Sequence, residues 1–237
     1  MWHFAEICGN KLEDNMVTMN HQNPWHEFPH DIYEKHMGHE NVRQLEMLSR
    51  IVGEQLGLVS KPVIAVLGIT DGNGLDNVQE GQYEKIIGMD INAEYLEICR
   101  QRYGYLPKLE LYQIDLMTER DRATEILKQA DLIIANLVVK HIHLNNLIDI
   151  VSKLVQPVIS VVVQFDPDGC EVSKSGFESE FDEIQKHGED CDELSLTTAM
   201  NDSWYALNLR TEYILPNEKV FIRLDYEKCV GGNCQQK

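Results

Sequence analysis

The chain reads as an α/β protein: a Rossmann-like, mostly parallel sheet with helices on both faces and a C-terminal antiparallel β-hairpin. Three observations predict it. Five apolar runs alternate with helical stretches between residues 63 and 165. The first run breaks into Gly68-Ile69-Thr70-Asp71-Gly72-Asn73-Gly74. Near the end, Pro216-Asn217-Glu218 separates two β-type runs.

Residues 1–30 are polar, rich in His, Asn and Trp, and without steady periodicity, as expected of a partly ordered arm. Over 41–56, Val42, Leu45, Leu48, Val52 and Leu56 recur at helical spacing and Gly57 follows, which predicts an amphipathic helix leaning on the sheet edge or roofing a pocket. Strands are expected near 63–67, 85–90, 109–114, 131–136 and 157–165, with helices near 73–79, 92–103, 120–128 and 141–154. Asn92 can cap its helix and Glu94 suits the positive first turn. Residues 166–203 break the alternation with an acidic helix near 176–187 and the run Gly188-Glu189-Asp190-Cys191-Asp192-Glu193, read as a solvated insertion. The runs 204–213 and 219–226 then form the hairpin. An N-terminal arm with lid helices (1–57) would precede one larger domain (58–237) that carries the insertion at about 166–203.

Composition bounds the function. With 237 residues the chain fits one elaborated domain, and 43% hydrophobic content is enough for a packed core. No apolar run approaches the ~20 residues of a membrane span, and the N-terminus lacks a basic start followed by an apolar stretch, so a soluble, unexported protein is expected. Cysteines at 8, 99, 170, 191, 229 and 234 show no Cys-x-x-Cys spacing and fit a reduced cytoplasm. A formal net charge of −18 repels polyphosphate chains, and this disfavours nucleic acid as a partner.

The glycine turn carries the chemistry. A chain leaving a buried strand there must bend tightly and expose bare backbone to a ligand, which glycine alone does without strain. Asp90, 22 positions after Gly68, would end the second strand, where a carboxylate can accept hydrogen bonds from both hydroxyls of a ribose. A dinucleotide fingerprint would need glycine at Gly68, Thr70 and Asn73, and only the first is one. Asp71 also opposes a phosphate at that position. S-adenosylmethionine has no phosphate and carries a sulfonium cation, so an acidic loop suits it.

Here the residues resemble the class I S-adenosylmethionine-dependent methyltransferases, small bacterial ones included, over about residues 63–165. Leu67-Gly68-Ile69-Thr70-Asp71-Gly72-Asn73-Gly74 is similar to their glycine motif, and Ile86-Ile87-Gly88-Met89-Asp90-Ile91-Asn92 to the second-strand motif whose acid holds the ribose. Tyr112-Gln113-Ile114-Asp115-Leu116 matches the third-strand motif, whose acid contacts the adenine amino group, and Ala130-Asp131-Leu132-Ile133-Ile134-Ala135-Asn136-Leu137-Val138-Val139 the fourth. The resemblance implies S-adenosylmethionine as cofactor, contacted by Gly68, Ile69, Thr70, Asp90, Ile91, Asp115, Leu116, Asn136 and Leu137. Tyr33 and Met37 resemble a short helix that covers the cofactor in some members. Two positions depart: Val66 stands where an acid commonly helps hold the cofactor's amino group, and Thr70 replaces the central glycine. Asp71 could supply the missing anion.

The implied activity is methyl transfer to a small-molecule acceptor; the alternative is a non-catalytic protein of this fold that serves as cofactor sensor or scaffold. No catalytic residue is assigned. His141 and His143 begin the helix after the fourth strand, either as proton acceptors beside the substrate or as surface histidines. His26 and His30, and His36 and His39, have helical spacing, but no neighbouring cysteine completes a zinc set, so no metal is expected. Oligomeric state and the acceptor leave no trace in the sequence.

Overall fold

The computed structural model describes residues 23–155, 157–167, 169 and 172–229. Seven strands, β1 (Val63–Leu67), β2 (Lys85–Asp90), β3 (Leu109–Gln113), β4 (Leu132–Asn136), β5 (Val158–Phe165), β6 (Tyr205–Ile214) and β7 (Val220–Lys228), form one sheet in the order β3-β2-β1-β4-β5-β7-β6. The first five are mutually parallel, and β7 runs antiparallel to both β5 and β6. Strand order reverses at β1, between β2 and β4, so the crevice of an open α/β sheet lies at the carboxyl ends of these strands.

The continuous apolar runs follow from burial on both faces. On one face Ala65, Leu67, Ile87, Met89, Ile133 and Ala135 share a core with Ala123 and Leu127 of α4 (Arg120–Leu127) and with Leu147, Ile150 and Val151 of α6 (Leu144–Ser152). On the other, Ile64, Ile86, Leu132 and Ile134 meet Leu96 and Cys99 of α3 (Ala93–Tyr103). Before the sheet come α1 (His30–Met37) and α2 (Gln44–Gln55), which cover that second face toward β5 and β7 through Leu48 and Ile51.

Three predicted elements differ. The helix expected near 73–79 is only a 3-10 turn, Leu75–Asn77, because Gly72 and Gly74 adopt left-handed φ of +92° and +89° and α2 occupies the space beside them. A Cβ on Gly74 would lie 2.6 Å from Val52 Cβ, and Asn77 Nδ2 donates to Ser49 O at 2.8 Å. The helix expected at 141–154 starts earlier and breaks, giving α5 (Val139–Ile142) and α6 on either side of His143 at φ +66°. The acidic segment holds a 3-10 turn (Glu178–Phe181), then α7 (Asp182–His187), and also an unanticipated α8 (Glu193–Asp202). The acids before α8 are its start signal, since Asp192 Oδ1 accepts from Ser195 N at 2.7 Å, while Leu196 and Met200 one turn apart are fully buried in the core.

Among the described residues no helix is long and apolar enough to cross a membrane. Cys99 and Cys191 are free thiols, whereas Cys229 is disulfide-bonded, so the expectation of uniformly reduced cysteines does not hold. Cys8, Cys170 and Cys234 lie outside the described residues.

Candidate active site

The turn after β1 is pinned to β2 by backbone bonds: Gly68 N–H and Ile69 N–H both donate to Met89 O, at 2.8 and 3.0 Å. Gly68 takes φ +66°, and a Cβ there would meet Val138 Cγ2 at 2.9 Å, so glycine is required twice over. Thr70 itself takes φ +50° and aims its N–H at Asp90 Oδ2, 2.9 Å away. Asn92 N–H donates to the other carboxylate oxygen at 2.9 Å. Asp90 therefore sits beneath the glycine turn, its carboxylate oriented by backbone donors, with Ile91 adding to Thr70 and Asn92, and it lines the cavity. Burial pushes its carboxyl up to about 6, against the pull of those backbone donors.

The neighbouring strand ends are more committed. Asp115 closes the turn after β3 by accepting from Met117 N (2.8 Å) and Thr118 Oγ1 (2.9 Å). The Asn136 carboxamide forms a reciprocal pair with Gln55 of α2, Gln55 Nε2 to Asn136 Oδ1 at 2.8 Å and Asn136 Nδ2 to Gln55 Oε1 at 2.9 Å. Gln55 Nε2 also donates to Ser160 Oγ, which donates to Asp225 Oδ1, and Asp225 is paired with Arg223 at 2.6 Å. All four of these supporting residues are buried. The polar chain behind Asn136 was not legible in the sequence: Gln55 looks like a helix-end polar residue, and its partners are over 80 positions away.

Asp71 does not supply an anion to the pocket. It is buried outside the cavity wall, bonded to His30 Nε2 at 2.9 Å and to Arg102 Nη1 at 2.5 Å. Arg102 also reaches Glu34 at 2.7 Å. His30, Glu34 and Asp71 are, among the described residues, the one group whose potential ligand atoms converge for a metal, and the Arg102 guanidinium already serves two of them. His36 Nδ1 bonds Ser175 Oγ at 2.6 Å.

These contacts define a strap over the strand ends, of which only Tyr33 and Met37 were expected. Asn92, besides capping α3, donates through Nδ2 to Trp25 O (3.0 Å) and Phe28 O (3.1 Å). Residues 23–37 thus run from Asn92 past Asp71 to Ser175. A cavity of about 620 Å³ lies beneath, within the range of small-molecule pockets. Gly68, Ile69, Thr70, Asp90 and Ile91 line it, as do Asp115, Leu116, Asn136, Leu137, Tyr33 and Met37, so every expected contact position faces one space. His141 lines it too, its ring 4.9 Å from Trp25, whereas His143 is turned toward His187 O at 3.2 Å and is not part of the wall. Burial pushes the His141 imidazole down to about 3. Three buried polar atoms of wall residues, Trp25 Nε1, Tyr95 Oη and His141 Nδ1, have no protein partner.

No protein-family model and no curated protein matches the chain. Solved structures do. Magnesium protoporphyrin IX methyltransferase from Synechocystis PCC 6803 with bound S-adenosylmethionine superposes with a TM-score of 0.60 at 11% identity, over 86% of this chain and 93% of that one. The [4+2]-cyclase SpnF gives 0.59 at 12% identity, over 80% and 84%. Geranyl diphosphate C-methyltransferase from Streptomyces coelicolor A3(2), in complex with Mg2+, geranyl diphosphate and S-adenosyl-L-homocysteine, gives 0.57 at 11%, over 78% and 81%. The fold is that of the class I S-adenosylmethionine-dependent methyltransferases.

Proposed function

We propose that the protein is an S-adenosylmethionine-dependent methyltransferase acting on a small molecule. One observation carries this reading: Asp90 lines the cavity at the end of β2 with both carboxylate oxygens oriented by the Thr70 and Asn92 N–H groups. That is the acceptor set a ribose diol requires, and charge-assisted bonds of this kind contribute roughly 1.5–3 kcal/mol each. The remaining wall suits the rest of the cofactor. Ile91 and Leu116 offer apolar surface for a flat base, Asp115 an acceptor for its amino group, and the close backbone at Gly68 to Thr70 and at Asn136 and Leu137 room for the amino-acid part. The unpartnered Trp25 Nε1 and Tyr95 Oη are donors that a polar ligand would satisfy.

When bound, the cofactor supplies a sulfonium methyl with a good leaving group. What the chain must add is placement, holding an acceptor in line at about 3–3.5 Å, and exclusion of water, which the strap over residues 23–37 provides. The acidic chain, with net charge −18, disfavours nucleic acid as that acceptor. A non-catalytic use of the same cofactor gains support from one feature: no carboxylate lines the end of β1, where Val66 stands and Asp71 is turned away.

Calorimetric titration with S-adenosylmethionine, S-adenosylhomocysteine and NAD tests the reading. Binding of the first two and not the third is expected; a folded protein that binds neither of the first two would end it. Release of labelled S-adenosylhomocysteine with candidate acceptors separates enzyme from sensor.

A further inference from the structure

The cavity has a second set of wall residues that the cofactor motifs do not use: Trp25, His36, His141, Phe181, Ile184 and Asp190. Resting on the methyltransferase reading above, we propose that this half takes a planar aromatic nitrogen base bearing no anionic group, and that the ring nitrogen or amine is the methyl acceptor.

Shape comes first. His36 and Phe181 pack with tilted planes at 4.4 Å, Trp25 stands edge-on to His141 at 4.9 Å, and Phe28 behind the wall ties the two pairs together, 5.3 Å from Trp25 and 4.8 Å from Phe181. Four rings of one connected panel thus face the space, a surface that favours a flat aromatic guest.

Charge comes second. In this half Asp166, Asp190 and Asp192 line the cavity, against one cationic wall side chain among the described residues, Lys140, which is already engaged. The nearby cations are spent as well: Lys219 holds Asp166 at 2.7 Å and Arg102 holds Asp71 and Glu34. A phosphate, diphosphate or carboxylate on the acceptor would meet these aspartates and, among the described wall residues, no cation besides the engaged Lys140. Nor, among the described residues, do the aspartates converge into a metal-ligand group that could bridge to an anion, since the one converging group there is His30, Glu34 and Asp71, outside the wall.

Proton chemistry then chooses the acceptor atom. An alcohol or phenol must lose a proton as it is methylated, and the wall orients no base for it: the His141 and His36 rings pack on Trp25 and Phe181 and burial holds both imidazoles low, Asp166 and Asp192 are committed to Lys219 and to Ser195 N–H, and Asp190 is exposed. A neutral nitrogen needs no base. Its lone pair forms the N–CH3 bond while the S–CH3 bond breaks, the sulfonium becomes a neutral thioether, and the positive charge passes to nitrogen. The aspartate-lined space stabilises that charge as it arrives. Where the nitrogen carried a hydrogen, the proton leaves afterwards to water.

The test uses the full chain loaded with S-adenosylhomocysteine and three probes that share one ring system: quinoline, N-methylquinolinium and quinoline-6-carboxylate. Calorimetry is expected to show the first two binding at least tenfold more tightly than the third. Phe181→Leu should weaken quinoline at least fivefold while S-adenosylhomocysteine affinity stays within twofold; should that variant fold poorly, the closer volume match Phe181→Met serves the same purpose. A carboxylate that binds as tightly as quinoline, or a loaded protein that binds none of the three, overturns the proposal. Failure to take up S-adenosylhomocysteine at all is a different result, which removes the methyltransferase reading and this inference with it.

Discussion

The two halves of the cavity are built on different principles. Around Asp90 the wall consists of strand ends, held by sheet hydrogen bonds and by the bonds from Gly68 and Ile69 to Met89. Around Trp25 and Phe181 it consists of the strap 23–37 and of described residues between 166 and 192, held by side-chain contacts: His36 to Ser175 between these two segments, and Asn92 Nδ2 to Trp25 O beside the strand ends. The first half is fixed by backbone geometry that any sequence of this fold reproduces. The second is free to differ, and under the methyltransferase reading proposed above it is the half that would set acceptor specificity.

The comparison is broken most forcibly from behind the cofactor half. Arg223 and Asp225 are each 4% exposed at the side chain and support Ser160, Gln55 and, through them, Asn136. Arg223→Met would leave Asp225 buried without its cation, and breaking such a pair costs about 3–5 kcal/mol. Urea denaturation should show a loss of that size, with much of it recovered in the Arg223→Met, Asp225→Leu double variant. A loss under about 1 kcal/mol would mean that the network is not structural.

A smaller effect is expected at Asp90. Asp90→Ala should weaken S-adenosylmethionine binding at least tenfold, about 1.4 kcal/mol, while circular dichroism remains that of the folded protein. Unchanged affinity would show that the ribose is held elsewhere. The same carboxyl sets a pH dependence. Its value of about 6 in the folded chain lies above its ordinary value of 3.8, so the group binds more protons folded than unfolded between those limits. Apo stability therefore declines as pH rises from about 4 to about 6. Cofactor affinity runs the opposite way, because the ionised form accepts the diol: level above about 7 and about tenfold weaker at pH 5. Titrations at three pH values check this, and a flat profile in Asp90→Asn would assign it to this residue.

The same division explains what was legible from residues alone. The sheet, the glycine turn and the acids at 90 and 115 were readable because strand, turn and helix signals are local, within about ten residues. The strap was not. Asn92 announced itself as a helix cap, and only the fold shows the same side chain reaching Trp25 O and Phe28 O, over 60 positions away. Asp71 misled because charge near a glycine turn is visible in sequence and its direction is not; His30 and Arg102 claim it from two other elements. Likewise α8 was hidden because its capping acids read as a solvated run, although Leu196 and Met200 at helical spacing were a usable signal.

If the strap is the adjustable half, loosening it should alter cofactor exchange more than cofactor recognition. His30→Ala removes the 2.9 Å bond to Asp71 but leaves that acid paired with Arg102, so no buried charge is orphaned. The cost should be about 1–2 kcal/mol of strap docking. Because the strap covers the cavity, this appears as S-adenosylhomocysteine dissociation up to about tenfold faster by stopped flow, with the pH profile set by Asp90 retained. Lys35→Ala on the same helix loses only an exposed pair with Asp31, side chains 58% and 66% exposed, and should leave the rate within twofold. Equal rates in His30→Ala and the parent chain would place the entry route on the other side of the cavity, along residues 166–192, and would make the strap as fixed as the strand ends it covers.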